Sequence, residues 1–337
     1  MPPAVAEGER GGPRIVAFGG GTGMACLLSG LKEYSSRITA IVTVTDNGGS
    51  SGRLRKDFDM VPPGDIRNCL VALADGEPLL AQLLRYRFEE AELAGHSFGN
   101  LFITALTRVT GSFDTAVREL NRLLQVRGQV LPATGRKVSL IAHHPGGGKS
   151  TGEVQITRSG ERIERVEMRP RVKEAQPDVL AAISGADIMF FGPGSLFTSV
   201  VPNLLVPGIA AAVQQNTCEK VYVANIMTQP GETTGFDLEQ HLSALETHAG
   251  GAFVTGVVLH DGDVDDVLLR RYARDGAFPV QPSPSMESRG LEIVRGDLLD
   301  REAANAAPGS RVIRHDAVRL AQLIDERFLA RLPHRTG

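Results

Sequence analysis

The chain is poor in cysteine. The three it has, Cys26, Cys69 and Cys218, lie far apart in apolar segments of a 337-residue sequence. That spacing excludes a disulfide framework and offers no metal-ligand pattern, so the three read as small core residues of a reducing compartment. No apolar run approaches the roughly 20 residues that span a bilayer. The opening MPPAVAEGERGGPR lacks the apolar stretch of a signal peptide. Residues 1–13 are therefore expected to be a disordered leader, residues 14–332 a single domain, and the protein cytoplasmic. There is no excess of positive charge either: 36 Lys and Arg face 39 Asp and Glu, a net −3. A non-specific nucleic-acid binder needs a basic face, which this balance does not supply. Internal repeats, low-complexity tracts and an obvious linker are also missing. What is present is 42% hydrophobic and 22% charged residues, enough apolar material for a large core.

Arg14 to Gly20 reads as a buried strand, Met24 to Tyr34 has helical spacing, and Arg37 to Thr45 (RITAIVTVT) is a β-branched strand. The chain thus opens β-loop-α-β, the start of a parallel sheet with right-handed crossovers. Residues 46 to 64 are expected to be a polar loop. Helices are expected at Asp65 to Ala74, Pro78 to Phe88, Gly99 to Val109 and Phe113 to Val126. Three short strands, Lys137 to His143, Gly152 to Arg158 and Arg162 to Arg169, read as an antiparallel insertion around 136–170. Strands then resume at Asp187 to Phe191, Val221 to Asn225 and Ala252 to Leu259, with a last helix at Ala317 to Leu332. The fold class is α/β: a three-layer α/β/α, Rossmann-like sheet with that small insertion.

Ligands of open parallel sheets sit beyond the carboxyl ends of the strands. The residues there are rich in Gly, Ser, Asn and Asp. Gly19-Gly20-Gly21-Thr22-Gly23 lets a backbone approach a phosphate at a helix start; the plain alternative is a tight turn. Met24 stands at the third glycine of a dinucleotide fingerprint. Asp46-Asn47-Gly48-Gly49-Ser50-Ser51-Gly52-Arg53 places Asp46 where a Rossmann protein holds ribose. The run after it reads as a second cradle, with Arg53 able to fork onto phosphate. In Pro62-Pro63-Gly64-Asp65-Ile66-Arg67-Asn68, Asp65 can cap the next helix, which leaves Arg67 and Asn68 unexplained. His96, in His96-Ser97-Phe98-Gly99-Asn100, is either a general base or phosphate donor or a structural histidine. Gly192-Pro193-Gly194-Ser195 after the strand DIMFF is a further anion or ribose loop. Asn225 ends another strand, where its amide can read a base or sugar edge.

Two look-alikes fail. Gly146 to Ser150 resembles a Walker A loop, but His143 replaces its first glycine, and a hairpin explains it better. Asp261-x-Asp263-x-Asp265 has Asp266 for the glycine and Tyr272 for the glutamate of a calcium loop. An acidic helix N-terminus accounts for it.

The ordered set GGGTG, TDNGGSSGRLR, PPGDIRN, GHSFGN and GPGSLFTS resembles the YvcK proteins, or gluconeogenesis factors, of the wider CofD-like family. The resemblance runs from about Arg14 to the last helix. It implies a nucleotide across the strand ends, with Gly20 to Gly23 and Asn47 to Arg53 as phosphate loops and Gly192 to Ser195 and Asn225 as pocket lining. It also implies roles for Tyr272, stacking on uracil, and Arg314, holding a diphosphate. The members similar to YvcK are linked to UDP-N-acetylglucosamine binding, cell shape, wall synthesis and growth on gluconeogenic carbon sources; CofD transfers 2-phospholactate from a guanosine diphosphate conjugate. CofD-type transferases carry adjacent carboxylates after the second strand for a divalent metal, where this chain has Asp46-Asn47. Asp46 is thus a weak metal candidate and magnesium an open cofactor. The expected partner is a nucleotide-sugar, with no nucleic acid and no membrane span. Homo-oligomers and regulatory protein partners stay open. Three functions compete: a UDP-sugar-binding regulator, a metal-dependent transferase of the CofD type, and an NAD(P)-binding protein, the last without a visible hydride-transfer site.

Overall fold

The computed structural model describes residues 11–283, 286, 289–307 and 310–332. Residues 1–10 of the expected leader lie outside these. Gly11 and Pro13 are tied by their carbonyls to Ser36 and Ser35.

Among the described residues ten strands make two sheets. The seven-stranded sheet is wholly parallel and contains β1 (Ile15–Gly19), β2 (Ile38–Val42), β3 (Gln129–Pro132), β7 (Ile188–Phe191), β8 (Glu219–Val223), β9 (Gly256–His260) and β10 (Glu292–Gly296), in the order β10-β9-β8-β7-β1-β2-β3. The small sheet is antiparallel: β4 (Ser139–His143) lies between β5 (Lys149–Thr151) and β6 (Arg165–Arg169). The middle strands are buried on both faces, which is why they read as unbroken apolar runs. Phe18 and Phe191 stack across β1 and β7 with centroids 4.7 Å apart.

From β1 the chain runs outward to β2 and β3, then returns to β7 beside β1 and runs the other way to β10. Right-handed crossovers in opposite directions put their helices on opposite faces of the sheet. Helix Gly21–Leu31 packs with Gly64–Leu73 and the last helix, Ala317–Arg327, while Pro177–Gly185, Ile209–Gln215 and Leu238–Ala249 belong to the other set with the segment Leu196–Leu204. Gly30 permits the close approach of the last helix: a Cβ there would run into the Ala317 carbonyl.

Three expectations need correction. Residues 46–64 are not all loop, because Gly49–Asp57 is a helix. Its Gly and Ser residues carry little helical propensity, so tertiary hydrogen bonds hold it. Gly152 to Arg158 is not a strand. The second strand of the insertion is β5, and Glu153–Ser159 is a short helix bracketed by Gly152 (φ +85°) and Gly160 (φ +65°), with Ile156 alone fully buried. The strands β3 and β10 are additions at the two sheet edges: β3 is only four residues, QVLP, and β10 has one buried residue in five, so each leaves a weak apolar signal. The declined loops behave as read: Gly146 to Gly148 turn between β4 and β5, and Asp265 caps the helix Asp266–Arg274 through Leu268 N at 3.0 Å.

Among the described residues no single helix is long and apolar enough to cross a membrane. The pair Leu196–Leu204 and Ile209–Gln215 meets the composition when joined, but is bent by 77° and packs Leu196, Val200, Val201, Ile209 and Val213 into the core.

Candidate functional site

The strand order reverses between β1 and β7. At such a switch point the loops leave in opposite directions and open a crevice. A cleft of about 1170 Å³ occupies it. Gly20 to Gly23 form one wall and Pro193 to Ser195 the other; Asp65, Arg67, Asn68, Arg85 and Glu153 lie toward β2, and Asn225, Met227, Gln229, Tyr272 and Arg314 toward β8 and β9.

Two helices begin at this cleft with no cap from their own N-cap residue, Gly21–Leu31 after Gly20 and Gly64–Leu73 after Pro63. Their first N–H groups carry the positive end of the helix dipole, which favours an anion. Gly21 takes φ +67°, and a Cβ on Gly23 would lie 2.6 Å from the Pro193 carbonyl oxygen, so the two walls touch where only glycine fits. Asp65 does not cap its own helix. It sits in the first turn, and its carboxylate accepts from the Gly21 backbone instead. Burial and then the neighbouring Asp46 push it up to about 7. Arg67 donates to Ser97 Oγ (2.5 Å) and Asn68 Oδ1 (2.6 Å), and burial pulls its guanidinium below the usual range.

The opposite wall is held from behind. Asn225 Oδ1 accepts from Gly194 N (3.0 Å) and its Nδ2 donates to Gly194 O (2.8 Å). Both ends of the amide thus clamp the loop, while Asn225 also lines the cleft. Gln229 Nε2 donates to Ser195 Oγ (3.0 Å). Buried Glu232 accepts from Phe197 N (3.1 Å) and Thr198 Oγ1 (2.7 Å), and burial raises its pKa.

Tyr272 and Arg314 reach the cleft from one satellite unit. Ile226, Met227, Leu268, Leu299 and Ala304 form a small separate core with Tyr272 and Ile313 against it. Tyr272 Oη accepts from Ile313 N (2.9 Å), and the Arg271 guanidinium stands 5.5 Å from the Tyr272 ring centre. Arg314, 64% exposed, donates from Nε to Asp300 Oδ2 (2.9 Å).

The structure does not bring Asp46, Asn47, Gly48, Gly49, Ser50, Ser51, Arg53, His96, Asn100 or Gly192 into the cleft lining. Ser50 and Ser51 are buried, and Asn100 Nδ2 donates to both, at 3.2 and 3.5 Å. The Ser50 hydroxyl is left to pair with His96 Nδ1 at 3.1 Å. Burial and then Arg53 lower the His96 pKa, so the ring acts as a neutral structural partner. Arg53 donates to the Ala94 carbonyl at 2.8 Å. Asp46 Oδ1 accepts from Gly48 N (2.7 Å) and Asn47 Oδ1 from Val154 N (3.0 Å), so one oxygen of each is engaged within the protein. Glu153 is the residue that sequence reading missed: its segment EVQITRS alternates like a strand, which hid a carboxyl at a helix start.

The family model described as 2-phospho-L-lactate transferase CofD matches residues 15–299. The chain belongs to the CofD family. Within the CofD family it is similar to a gluconeogenesis factor of Halalkalibacterium halodurans, 48% identical over 267 residues, which are 79% of this chain and 83% of that one. It is also 43% identical over 314 residues to the gluconeogenesis factor of Bacillus subtilis strain 168, covering 93% of this chain and 97% of that one. A crystal structure of a UPF0052 family member from Bacillus halodurans superposes with a TM-score of 0.86 at 42% identity, covering 93% of this chain and 98% of that one.

The resemblance to CofD-type transferases implies a divalent metal after β2, and the residues there fit one poorly. Asn47 has its oxygen committed to Val154 N, and no group of three or more His, Cys, Asp or Glu among the described residues is placed to hold an ion.

Proposed function

We propose that the cleft binds a nucleoside diphosphate sugar, UDP-N-acetylglucosamine foremost, and that the protein acts by binding it, as a regulator of wall synthesis, cell shape and growth on gluconeogenic carbon sources. The observation that carries the ligand class is the pair of helix starts that meet at the switch point, with glycine backbone on one side and Pro193 to Ser195 on the other. Such a site suits a diphosphate. Tyr272 offers an aromatic face and Arg314 a guanidinium on the side where a base would lie. The relatives' name, gluconeogenesis factor, supports the link to growth on gluconeogenic carbon sources, and the committed Asn47 oxygen favours binding over metal-assisted transfer.

The transferase reading keeps support from the family match. Thermal-shift and calorimetric titrations with UDP-N-acetylglucosamine, GDP, NAD and NADP, each with magnesium or EDTA, separate the two. A ligand at a hundredfold excess over Kd stabilises the native state by about 2.7 kcal/mol. The regulator reading expects the UDP-sugar to bind most tightly, little effect of EDTA, and recovery of the ligand unchanged. Tighter binding of GDP, or magnesium-dependent loss of a donor, transfers the assignment to a CofD-type transferase.

A further inference from the structure

Glu153 opens the helix Glu153–Ser159 and lines the cleft on its β2 side. Its carboxyl makes no hydrogen bond or ion pair with any described residue. A half-buried carboxyl with no partner is costly to the fold, and a cleft is where such a cost is kept for a ligand. Three other carboxyls face it: Asp46 from the loop after β2, Asp65 from the first turn of Gly64–Leu73, and Glu232 from the segment after β8. Two cations stand on the same side. Arg67 is already bonded to Ser97 and Asn68, and Arg85 is exposed at the rim. Burial first, then the three carboxyls, push Glu153 up to about 8. At neutral pH it is mostly the neutral acid, which offers one donor and one acceptor.

A diphosphate seated at Gly20 to Gly23 sends its nucleoside to one side and its substituent to the other. Toward β8 and β9 lie Tyr272, Ile226 and Met227; toward β2 lie Asp65, Asn68 and Glu153. Hydroxyl and amide groups pair with carboxyls and an asparagine amide, whereas a further anion would find no free cation among the described residues beside Asp65 and Glu153, since Arg67 is bonded to Ser97 and Asn68 and Arg85 stands exposed at the rim. We propose that Glu153, with Asp65 and Asn68, reads the hydroxyl groups of the sugar on the β-phosphate and thereby selects an uncharged, hydroxyl-rich substituent. This inference rests on the reading of the cleft as a nucleoside diphosphate-sugar site.

Calorimetry on the full chain tests it with UDP, UDP-N-acetylglucosamine and UDP-glucuronic acid as probes, for the wild type, Glu153→Ala, Glu153→Gln and Asn68→Ala. Glu153→Ala is expected to weaken UDP-N-acetylglucosamine about tenfold, the loss of roughly one hydrogen-bonded contact, and UDP less than twofold. Glu153→Gln, whose amide still donates and accepts, should fall between. UDP-glucuronic acid should bind the wild type more weakly than UDP-N-acetylglucosamine. Wild-type affinity for the UDP-sugar should decline as pH rises through about 8, and Glu153→Gln should flatten that decline. Melting curves confirm that each variant is folded, and Asn68→Ala carries the test should Glu153→Ala be unstable. Equal losses for UDP and the UDP-sugar, or no loss, would overturn the assignment of Glu153 while leaving the nucleotide site standing. Failure of the wild type to bind any uridine nucleotide would remove both.

Discussion

Gly19–Gly23 after β1 and Asp46–Arg53 after β2 are alike in composition and leave adjacent parallel strands at the same end of the sheet. Only the first lines the cleft. In the first, the backbone comes close to another loop, and Gly23 meets Pro193 across the crevice. In the second, it comes close to itself and to the next motif. A Cβ on Gly52 would run into the Asn47 carbonyl, one on Gly64 into Ser51 Oγ, and Ser50 joins His96 and Asn100. Glycine and serine thus report a close backbone approach, not what is approached. A ligand and the protein's own chain leave the same trace in a sequence.

The largest expected effect sharpens this contrast at its steric contact. Gly23→Ala places a methyl 2.6 Å from the Pro193 carbonyl oxygen. Overpacking of this kind costs roughly 1–3 kcal/mol of stability, and the two walls relieve it by moving apart where the diphosphate sits, so Tm should fall and binding of UDP-N-acetylglucosamine should weaken about tenfold or more. Calorimetry reads the loss, and retained affinity would show that the two walls move apart without disturbing the site.

Ser50→Ala probes the other loop. It leaves Asn100 Nδ2 and His96 Nδ1 short of a buried partner, which costs about 1–3 kcal/mol of stability. Affinity for the nucleotide, compared at a temperature where both proteins are folded, should change less than threefold. A selective loss of affinity at unchanged Tm would return Ser50 to the site. The same knot has a pH signature. The His96 pKa is lowered in the fold from 6.5, so the native state binds its proton less tightly than the unfolded chain. Its contribution is present above about 6.5 and is lost as pH falls below that value. The wild type should therefore lose more Tm between pH 7 and 5 than His96→Asn does.

How much of this was legible in the sequence follows from what each residue touches. The central strands were readable because both faces are buried and apolar, as in IVAFG and IMFF. The helix Gly49–Asp57 was not, since GSSGRLRKD is held by distant partners such as Asn100, not by its own propensity. That Gly20 to Gly23, Asp65, Arg67, Asn68, Gly194 and Ser195 share one cleft was legible because a polar loop after a buried strand has one place to go, the sheet end. Asn225 lines the cleft at a strand end, but nothing local in the sequence says that its amide also faces Gly194. Glu153 was hidden because a β-branched alternation in EVQITRS outweighed two flanking glycines whose positive φ made a helical turn.

Arg314→Ala is the mirror of Ser50→Ala. The side chain is 64% exposed and paired with Asp300, and an exposed pair contributes about 0–1 kcal/mol to stability. A charge-assisted bond to phosphate is stronger, about 1.5 kcal/mol or more, so affinity should drop roughly tenfold with Tm nearly unchanged. Tyr272→Phe should do the reverse on a smaller scale. It removes the hydroxyl that accepts from Ile313 N, loosens the satellite unit by about 1 kcal/mol, and leaves the ring to stack. A large loss of affinity in Tyr272→Phe would mean that the hydroxyl itself meets the ligand.

The smallest effect is expected at the arginine that sequence alone places on the phosphate. Arg53 lies in a glycine- and serine-rich loop after a strand, and a forked contact there would cost about 1.5–3 kcal/mol of binding when removed. In the fold its guanidinium donates to the Ala94 carbonyl on the protein surface, away from the cleft lining. Arg53→Ala should then change affinity by less than twofold and Tm by little, since a solvent-exposed bond to a backbone carbonyl competes with water. The pair Arg53→Ala and Arg314→Ala, measured side by side with one ligand at one ionic strength, sets the two loops against each other directly. If Arg53→Ala is the more damaging of the two, the loop after β2 swings into the cleft when ligand binds. The division between a ligand-facing and a self-facing glycine loop would then describe the free protein alone.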